Sequence, residues 1–226
     1  MVNQQELSKK MAGEKATQFI KDGMTIGLGS GSTIYWTLKK LGELIREGMN
    51  VKGIPSSTRT EAWARDFNIP LTSWADVQRL DLAIDGANEV DQHLNLIKGG
   101  GGSLVREKMV NIHSDQLIIV ADESKLVSEL GNFPLPVEVL PFGWEVTARH
   151  ISRLGGTPKL RMNHQQTFVS DNGNYILDCK FDSIPDPSLL HNELKLLTGV
   201  VETGLFIDMA DIVIVSGTSE IRTLTR

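Results

Sequence analysis

Cysteine is nearly missing from this chain: Cys179 is alone among 226 residues. An internal disulfide is therefore excluded, and a reducing compartment, by default the cytoplasm, is the expectation. No stretch approaches the ~18 apolar residues of a membrane-spanning helix, and Met1 to Lys10 is polar, without the apolar core of a secretion signal. Basic residues are in deficit, 23 against 28 acidic for a net charge of −5. That argues against nucleic acid and anionic membrane as partners, because both call for clustered lysine and arginine. Any anionic ligand has to be held locally. His93, His113, His150, His164 and His191 show no ligand spacing, and HExxH and paired cysteines are absent, so no metal site is expected. There is no G-x-S-x-G nucleophile elbow, and Cys179 falls in an apparent strand, where packing is its ordinary role. Carboxylates and lysines are left to do chemistry.

What is present reads as an α/β protein. The hydrophobic fraction of 40% and charged fraction of 23% are those of a globular chain, and the length suits one large domain or a domain with an appendage. Leu7, Met11, Ala12, Ala16, Phe19 and Ile20 recur at helical spacing. A short apolar strand, Met24 to Leu28, then enters a glycine loop, and Ile34, Leu38, Leu41 and Ile45 mark a helix face beyond it. The rhythm repeats with Val51 to Ile54, a cap at Ser56-Ser57-Thr58 and a helix through Glu61 to Phe67, and with strands at Leu80 to Ile84 and Leu117 to Ala121. Such alternation implies a parallel sheet covered by helices on both faces.

Two prolines and a glycine in Gly131 to Pro136 break that rhythm and mark entry into a smaller α+β domain over 131–206, so that 1–130 and 207–226 form the main domain. Within the insert the pattern predicts strands at Val137 to Leu140, Pro158 to Arg161, Thr167 to Ser170 and Tyr175 to Phe181, with helices at Glu145 to Leu154 and Pro187 to Leu197. Asp171-Asn172-Gly173 is a hairpin signal, since Asn and Gly tolerate positive φ. Asp211 to Val215 is expected to return to the main sheet.

Three loops are candidates for chemistry. Gly27 to Thr33 joins a strand to a helix N-terminus, a natural anion site. It fits neither the dinucleotide fingerprint nor the P-loop, and a tight turn capped by Ser32 or Thr33 would use the same geometry. Asp85-Gly86-Ala87-Asn88-Glu89-Val90-Asp91 begins at the end of an apolar strand, where ligands meet open α/β sheets; Asp85 either meets substrate or caps the turn, and Asp91 is expected in solvent. Lys98 followed by Gly99, Gly100, Gly101 and Gly102 is the strongest local signal, because four glycines are entropically costly unless the backbone must wrap closely around something. In the helix that follows, Leu104, Val105, Lys108, Met109 and Ile112 are expected to form the buried face, with Glu107 to one side.

GLGSGST, DGANEVD and KGGGGSLVREK, in this order, resemble ribose-5-phosphate isomerase of the A type. So do ADESK (Ala121 to Lys125), NFPLPVEVLP (Asn132 to Pro141), NGNYILD (Asn172 to Asp178) and GVVETGLF (Gly199 to Phe206), which together carry the resemblance over nearly the whole chain. The resemblance implies a Rossmann-like α/β domain with a smaller inserted α+β domain, and interconversion of ribose 5-phosphate and ribulose 5-phosphate without metal or organic cofactor, in a dimer or tetramer. It makes Glu107 the general base and puts Asp85 and Lys98 at the reacting carbonyl and hydroxyl. Ser30, Gly31, Ser32 and Thr33, then Asp85, Gly86, Ala87 and Asn88, and Lys98, Gly99, Gly100 and Gly101 correspond to substrate-binding loops, Lys125 and Lys9 to further contacts. One position departs from the family pattern: Asn88 stands where a second acid is usual, and an amide orients a hydroxyl without carrying a proton. Two other readings compete. A sugar-phosphate sensor would need a DNA-binding segment before the first strand, where there is room for one helix; a lactonase, deaminase or CoA transferase of similar fold would lack KGGGGSLVREK.

Overall fold

The computed structural model describes residues 4–217 and 220–226; 1–3 and 218–219, parts of the predicted main domain, lie outside the described residues. The chain divides into two compact units, Met1–Ala87 with Arg106–Lys125 and Met209–Arg226, and Asn88–Val105 with Leu126–Asp208.

The first unit is built on a six-stranded sheet in the order Ile221–Thr225, Ile212–Ser216, Leu117–Asp122, Leu82–Gly86, Thr25–Leu28, Lys52–Pro55. All neighbours are parallel except the outermost pair, in which Ile221–Thr225 runs antiparallel to Ile212–Ser216. Thr25–Leu28 and Leu117–Asp122 are buried at every residue, as central parallel strands covered on both faces must be. The helices are α1 (Gln4–Ala16), α2 (Ser32–Arg46), α3 (Thr58–Asp66) and α4 (Leu104–Ile112), the last of which enters this unit at Arg106. Ile34, Leu38 and Leu41 of α2 pack with Ile26, Leu28, Leu82, Ile84, Ile118 and Ile214 in one core. The strand returning at Asp211 to Val215 is found as Ile212–Ser216. The edge strand Ile221–Thr225 has no counterpart in the sequence reading, because its Ile-Arg-Thr-Leu-Thr pattern is that of a half-exposed edge.

The second unit holds an antiparallel sheet in the order Val200–Thr203, Leu135–Val139, Tyr175–Lys180, Thr157–Leu160, together with α5 (Trp144–Arg153) and α6 (Pro187–Lys195). Leu135, Val137, Val139, Ile151, Leu177, Cys179 and Leu194 form its core. The predicted strand Thr167 to Ser170 is shorter, Gln166–Thr167, and pairs with Met162–Asn163. In the hairpin turn only Gly173 takes positive φ, at 81°.

This division differs from a boundary at residue 131: 88–105, 126–130 and 207–208 also belong with the second unit. Backbone pairing is the reason. Leu96–Ile97 is flanked antiparallel by Glu89–Val90 and Leu205–Phe206 in a three-stranded sheet. Val127 N–H donates to Val90 O at 2.9 Å, and the Glu89 carboxylate accepts from Gly131 N–H at 2.8 Å. Punctuation by proline marks where rhythm changes, whereas non-local pairing decides which segments fold together.

Candidate active site

In the first unit the site residues gather at the carboxyl ends of the parallel strands. Gly29 to Gly31 follow Thr25–Leu28, and Gly31, at φ 106°, is the N-cap of α2. No side chain caps this helix, so the alternative in which Ser32 or Thr33 serves as cap is not what forms; Ser32 is the first helical residue. A 15-residue helix that no side chain caps at its start has the kind of N-terminus that attracts an anion. Ser30 points another way: its Oγ lies 2.9 Å from both Ser56 Oγ and Ser57 Oγ and 3.2 Å from Thr60 Oγ1. Thr60 Oγ1 donates in turn to Gly29 O at 2.8 Å, so buried hydroxyls fasten the loop from behind.

Asp85 ends the neighbouring strand, fully buried. Its Oδ1 accepts from Ser30 N–H at 2.9 Å and from Gly86 N–H at 2.8 Å, and its Oδ2 accepts from the Asn111 side-chain amide at 3.1 Å. Asp85 therefore both caps its own turn and ties that turn to the glycine loop. Asn111 brings in α4, whose orientation corrects the expectation. Its buried residues are Leu104, Glu107, Lys108, Val110 and Asn111; Met109 is 49% exposed and Ile112 56% exposed. Glu107, predicted at one side of the helix, is only 4% exposed, one turn before Asn111 and on the same face. A helix that shows solvent its Met and Ile while burying Glu and Asn is arranged for chemistry.

Lys125 closes the short 3-10 turn Glu123–Lys125 after Leu117–Asp122, at the same sheet end. Lys9 lies on α1 one turn before Gly13, whose missing side chain leaves room for the Thr33 carbonyl and the Thr37 backbone. Lys9 Nζ donates to Glu6 at 2.7 Å, a bond that holds the Glu6 carboxyl below the usual carboxylate range. Of the helix face expected from the spacing, Ala12, Ala16 and Ile20 are buried and Leu7 alone is exposed, its place in the buried face taken by Ser8 and Gly13.

The second unit carries the rest. Lys98 is 2% exposed; its Nζ lies 5.3 Å from the Phe206 ring centroid and its N–H donates to Gly204 O at 2.8 Å. Gly99 (φ 93°) and Gly102 (φ 88°) need the left-handed region, the requirement that explains glycine there. Gly100 has no such φ, but Asn88 packs on its Cα and accepts its N–H at Oδ1, 2.9 Å. Ala87 and Asn88 are consecutive residues, one in each unit. Asp91 corrects another expectation: it is buried and accepts from the N–H groups of His93 and Asn95, each at 2.8 Å. Among the described residues no cluster of three or more His, Cys, Asp and Glu could hold a metal ion, and no helix is long and apolar enough to cross a membrane.

Comparison with known proteins decides the family. A family model described as ribose 5-phosphate isomerase A (phosphoriboisomerase A) matches residues 52–220. The chain belongs to the ribose-5-phosphate isomerase A family. It is 53% identical over 215 residues to ribose-5-phosphate isomerase A 1 of Oceanobacillus iheyensis, covering 95% of this chain and 96% of that one. It is 54% identical over 217 residues to ribose-5-phosphate isomerase A of Bacillus cereus strain ATCC 10987, covering 96% and 99%. A D-ribose-5-phosphate isomerase solved with phospho-erythronic acid superposes at TM-score 0.95 with 40% identity, over 98% of this chain and 99% of that one. As a family member the chain is an isomerase with an α/β fold, not a sensor or a lactonase.

Several residues escape a reading of the sequence. Ser56 and Ser57 stand out only as part of a helix cap and Thr60 not at all, although their place after a parallel strand was a usable signal. Asn111 sits in a helix whose apolar spacing points to the wrong face, and Arg161, which holds the glycine loop, is remote in sequence.

Proposed function

We propose that this isomerase interconverts D-ribose 5-phosphate and D-ribulose 5-phosphate through an enediolate, with Glu107 as the base. The reading is carried by α4, which buries Glu107 and leaves Met109 and Ile112 in solvent. Glu107 takes the proton from C2 of the open-chain aldose; the C–H electron pair becomes the C1–C2 double bond, and the carbonyl electrons move to O1. O1 gains a proton and O2 loses one. Closure of the C2 carbonyl then sends an electron pair to C1, which receives the proton from Glu107. The sum balances without oxidant, metal or organic cofactor. One carboxylate serving both transfers contributes roughly 10²–10⁴ in rate.

Lys98 and the N–H groups of Gly99 and Gly101 serve as donors to the charge that develops on oxygen, while Asn88 holds the Gly100 N–H; loss of one such donor costs about 3–4 kcal/mol. Asp85, fixed by three N–H donors, holds the substrate hydroxyl between O1 and O2 with Gly86, Ala87 and Asn88 beside it. The phosphate is the handle, taken by Gly31, Ser32 and Thr33 at the start of α2, in a loop that Ser30 fastens, with Lys9 and Lys125 supplying positive charge. The proposal extends to a homo-oligomer in the cytoplasm. The oligomer is supported by Leu140, Phe142 and Val146, three large apolar side chains close in sequence that are 48%, 96% and 45% exposed in the single chain.

Glu107→Gln tests it. Formation of ketose from ribose 5-phosphate should fall at least ~10²-fold while calorimetry still registers binding of the sugar phosphate. Near-normal turnover in that variant would remove Glu107 from its role.

A further inference from the structure

Arg161, in the second unit, grips the four-glycine loop with its guanidinium. Its Nη1 donates to Gly99 O at 2.9 Å and to Gly100 O at 3.2 Å. Its Nε donates to Asp178 Oδ2 at 2.9 Å, and Nη2 bonds the other Asp178 oxygen, a two-point fork that removes rotational freedom from the planar group. The guanidinium carbon lies 5.7 Å from the Phe168 ring centroid, and the Phe168 ring in turn fills the space beside Gly102. The backbone of Arg161 is tied as well: its N–H donates to Ile176 O at 2.8 Å, and its carbonyl accepts from Phe168 N–H at 3.0 Å. Little in this cluster can move by itself.

The consequence follows from the planarity of the trans peptide, in which C=O and the next N–H point in opposite directions. With the carbonyls of Gly99 and Gly100 both turned to Arg161, the N–H groups of Gly100 and Gly101 are turned away from it. The Gly100 N–H already meets Asn88 Oδ1 on that side. Without Cβ atoms, glycine peptides flip at small cost, so an external hold on the carbonyls is what gives this loop a single polarity.

We infer that Arg161 is a positioning residue for the isomerisation: by holding two carbonyls it fixes the loop so that the Gly100 N–H meets Asn88 and the Gly101 N–H is aimed at the substrate oxygen that becomes negative. This rests on the function proposed above. A donor aimed beforehand stabilises charge without reorganisation at the moment of reaction, and losing such a donor outright costs about 10²–10³ in kcat. Loss of the hold, rather than of the amides, should cost less.

The experiment compares the full-length protein with Arg161→Ala and Arg161→Lys. Two probes are used in calorimetry: 4-phosphoerythronate, which puts a carboxylate where charge develops, and inorganic phosphate, which reports only on the handle. In Arg161→Ala, kcat should fall roughly 10–100-fold with KM for ribose 5-phosphate changed far less. Affinity for 4-phosphoerythronate should fall by a comparable factor and affinity for inorganic phosphate should stay. Added guanidinium ion should restore part of kcat in Arg161→Ala, and Arg161→Lys, which keeps charge without the fork, should fall between. Equal loss of affinity for both probes, or a kcat close to that of the parent, overturns the inference. If Arg161→Ala does not fold, Arg161→Lys and Asp178→Asn carry the same two-probe comparison. A parent protein that makes no ribulose 5-phosphate would refute the proposed reaction; selective weakening of the carboxylate probe would still report on the Arg161 hold.

Discussion

Asn88 shows how one atom changes what a side chain is asked to do. Its Oδ1 accepts the Gly100 N–H, a task that a carboxylate performs equally well and that a methyl group cannot. Asn88→Asp is therefore expected to keep kcat within a few-fold of the parent, and Asn88→Ala to raise KM and lower kcat together. Steady-state rates of ketose formation check both; a large gain in Asn88→Asp would show that a proton carrier is wanted at this position. Cys179 gives a second prediction. Burial, and after it the charge of Asp178, push its thiol well above the ordinary value. The folded protein should resist alkylation up to about pH 9, whereas an unfolded thiol ionises near ~8.5. The sign follows: this group favours the fold fully below the unfolded value, and its contribution is lost as the pH rises above it. Labelling with iodoacetamide, with and without denaturant, measures the difference.

At the scale of elements, the five parallel strands of the main sheet were legible because each is a short apolar run after a turn signal, and Gly27 to Thr33, Asp85 and Lys98 to Gly102 follow such runs or stand out by composition. The face of α4 was not. Spacing of Leu104, Val105, Met109 and Ile112 pointed to an apolar side, but tertiary contacts turned the helix so that Glu107 and Asn111 are buried. Hydrophobic periodicity fails where a helix is required to bring polar atoms inward. Two measurements follow. Met109→Gln and Ile112→Gln should each change stability in urea by no more than about 0.5 kcal/mol, as exposed positions do. Asn111→Leu deprives the buried Asp85 Oδ2 of its amide donor and should cost about 1–3 kcal/mol. Loss of stability in Ile112→Gln with none in Asn111→Leu would restore the apolar face.

On the scale of the whole molecule, the proposed homo-oligomer predicts a mass by light scattering that is a multiple of 24.9 kDa. Phe142→Glu should lower it if the exposed Phe142, Leu140 and Val146 meet another copy, and an unchanged mass would move the interface elsewhere. The two-part organisation was legible from the prolines near 131, while the membership of 88–105 was not, because pairing of Leu96–Ile97 with Leu205–Phe206 joins segments far apart in sequence. That interleaving reaches beyond folding. With three stretches of chain in one unit and two in the other, no single cut releases either of them whole. A premature stop or a recombination crossover within 88–208 severs both, and one outside it still severs the first, so heredity can pass this enzyme on, or exchange it, only as an undivided piece.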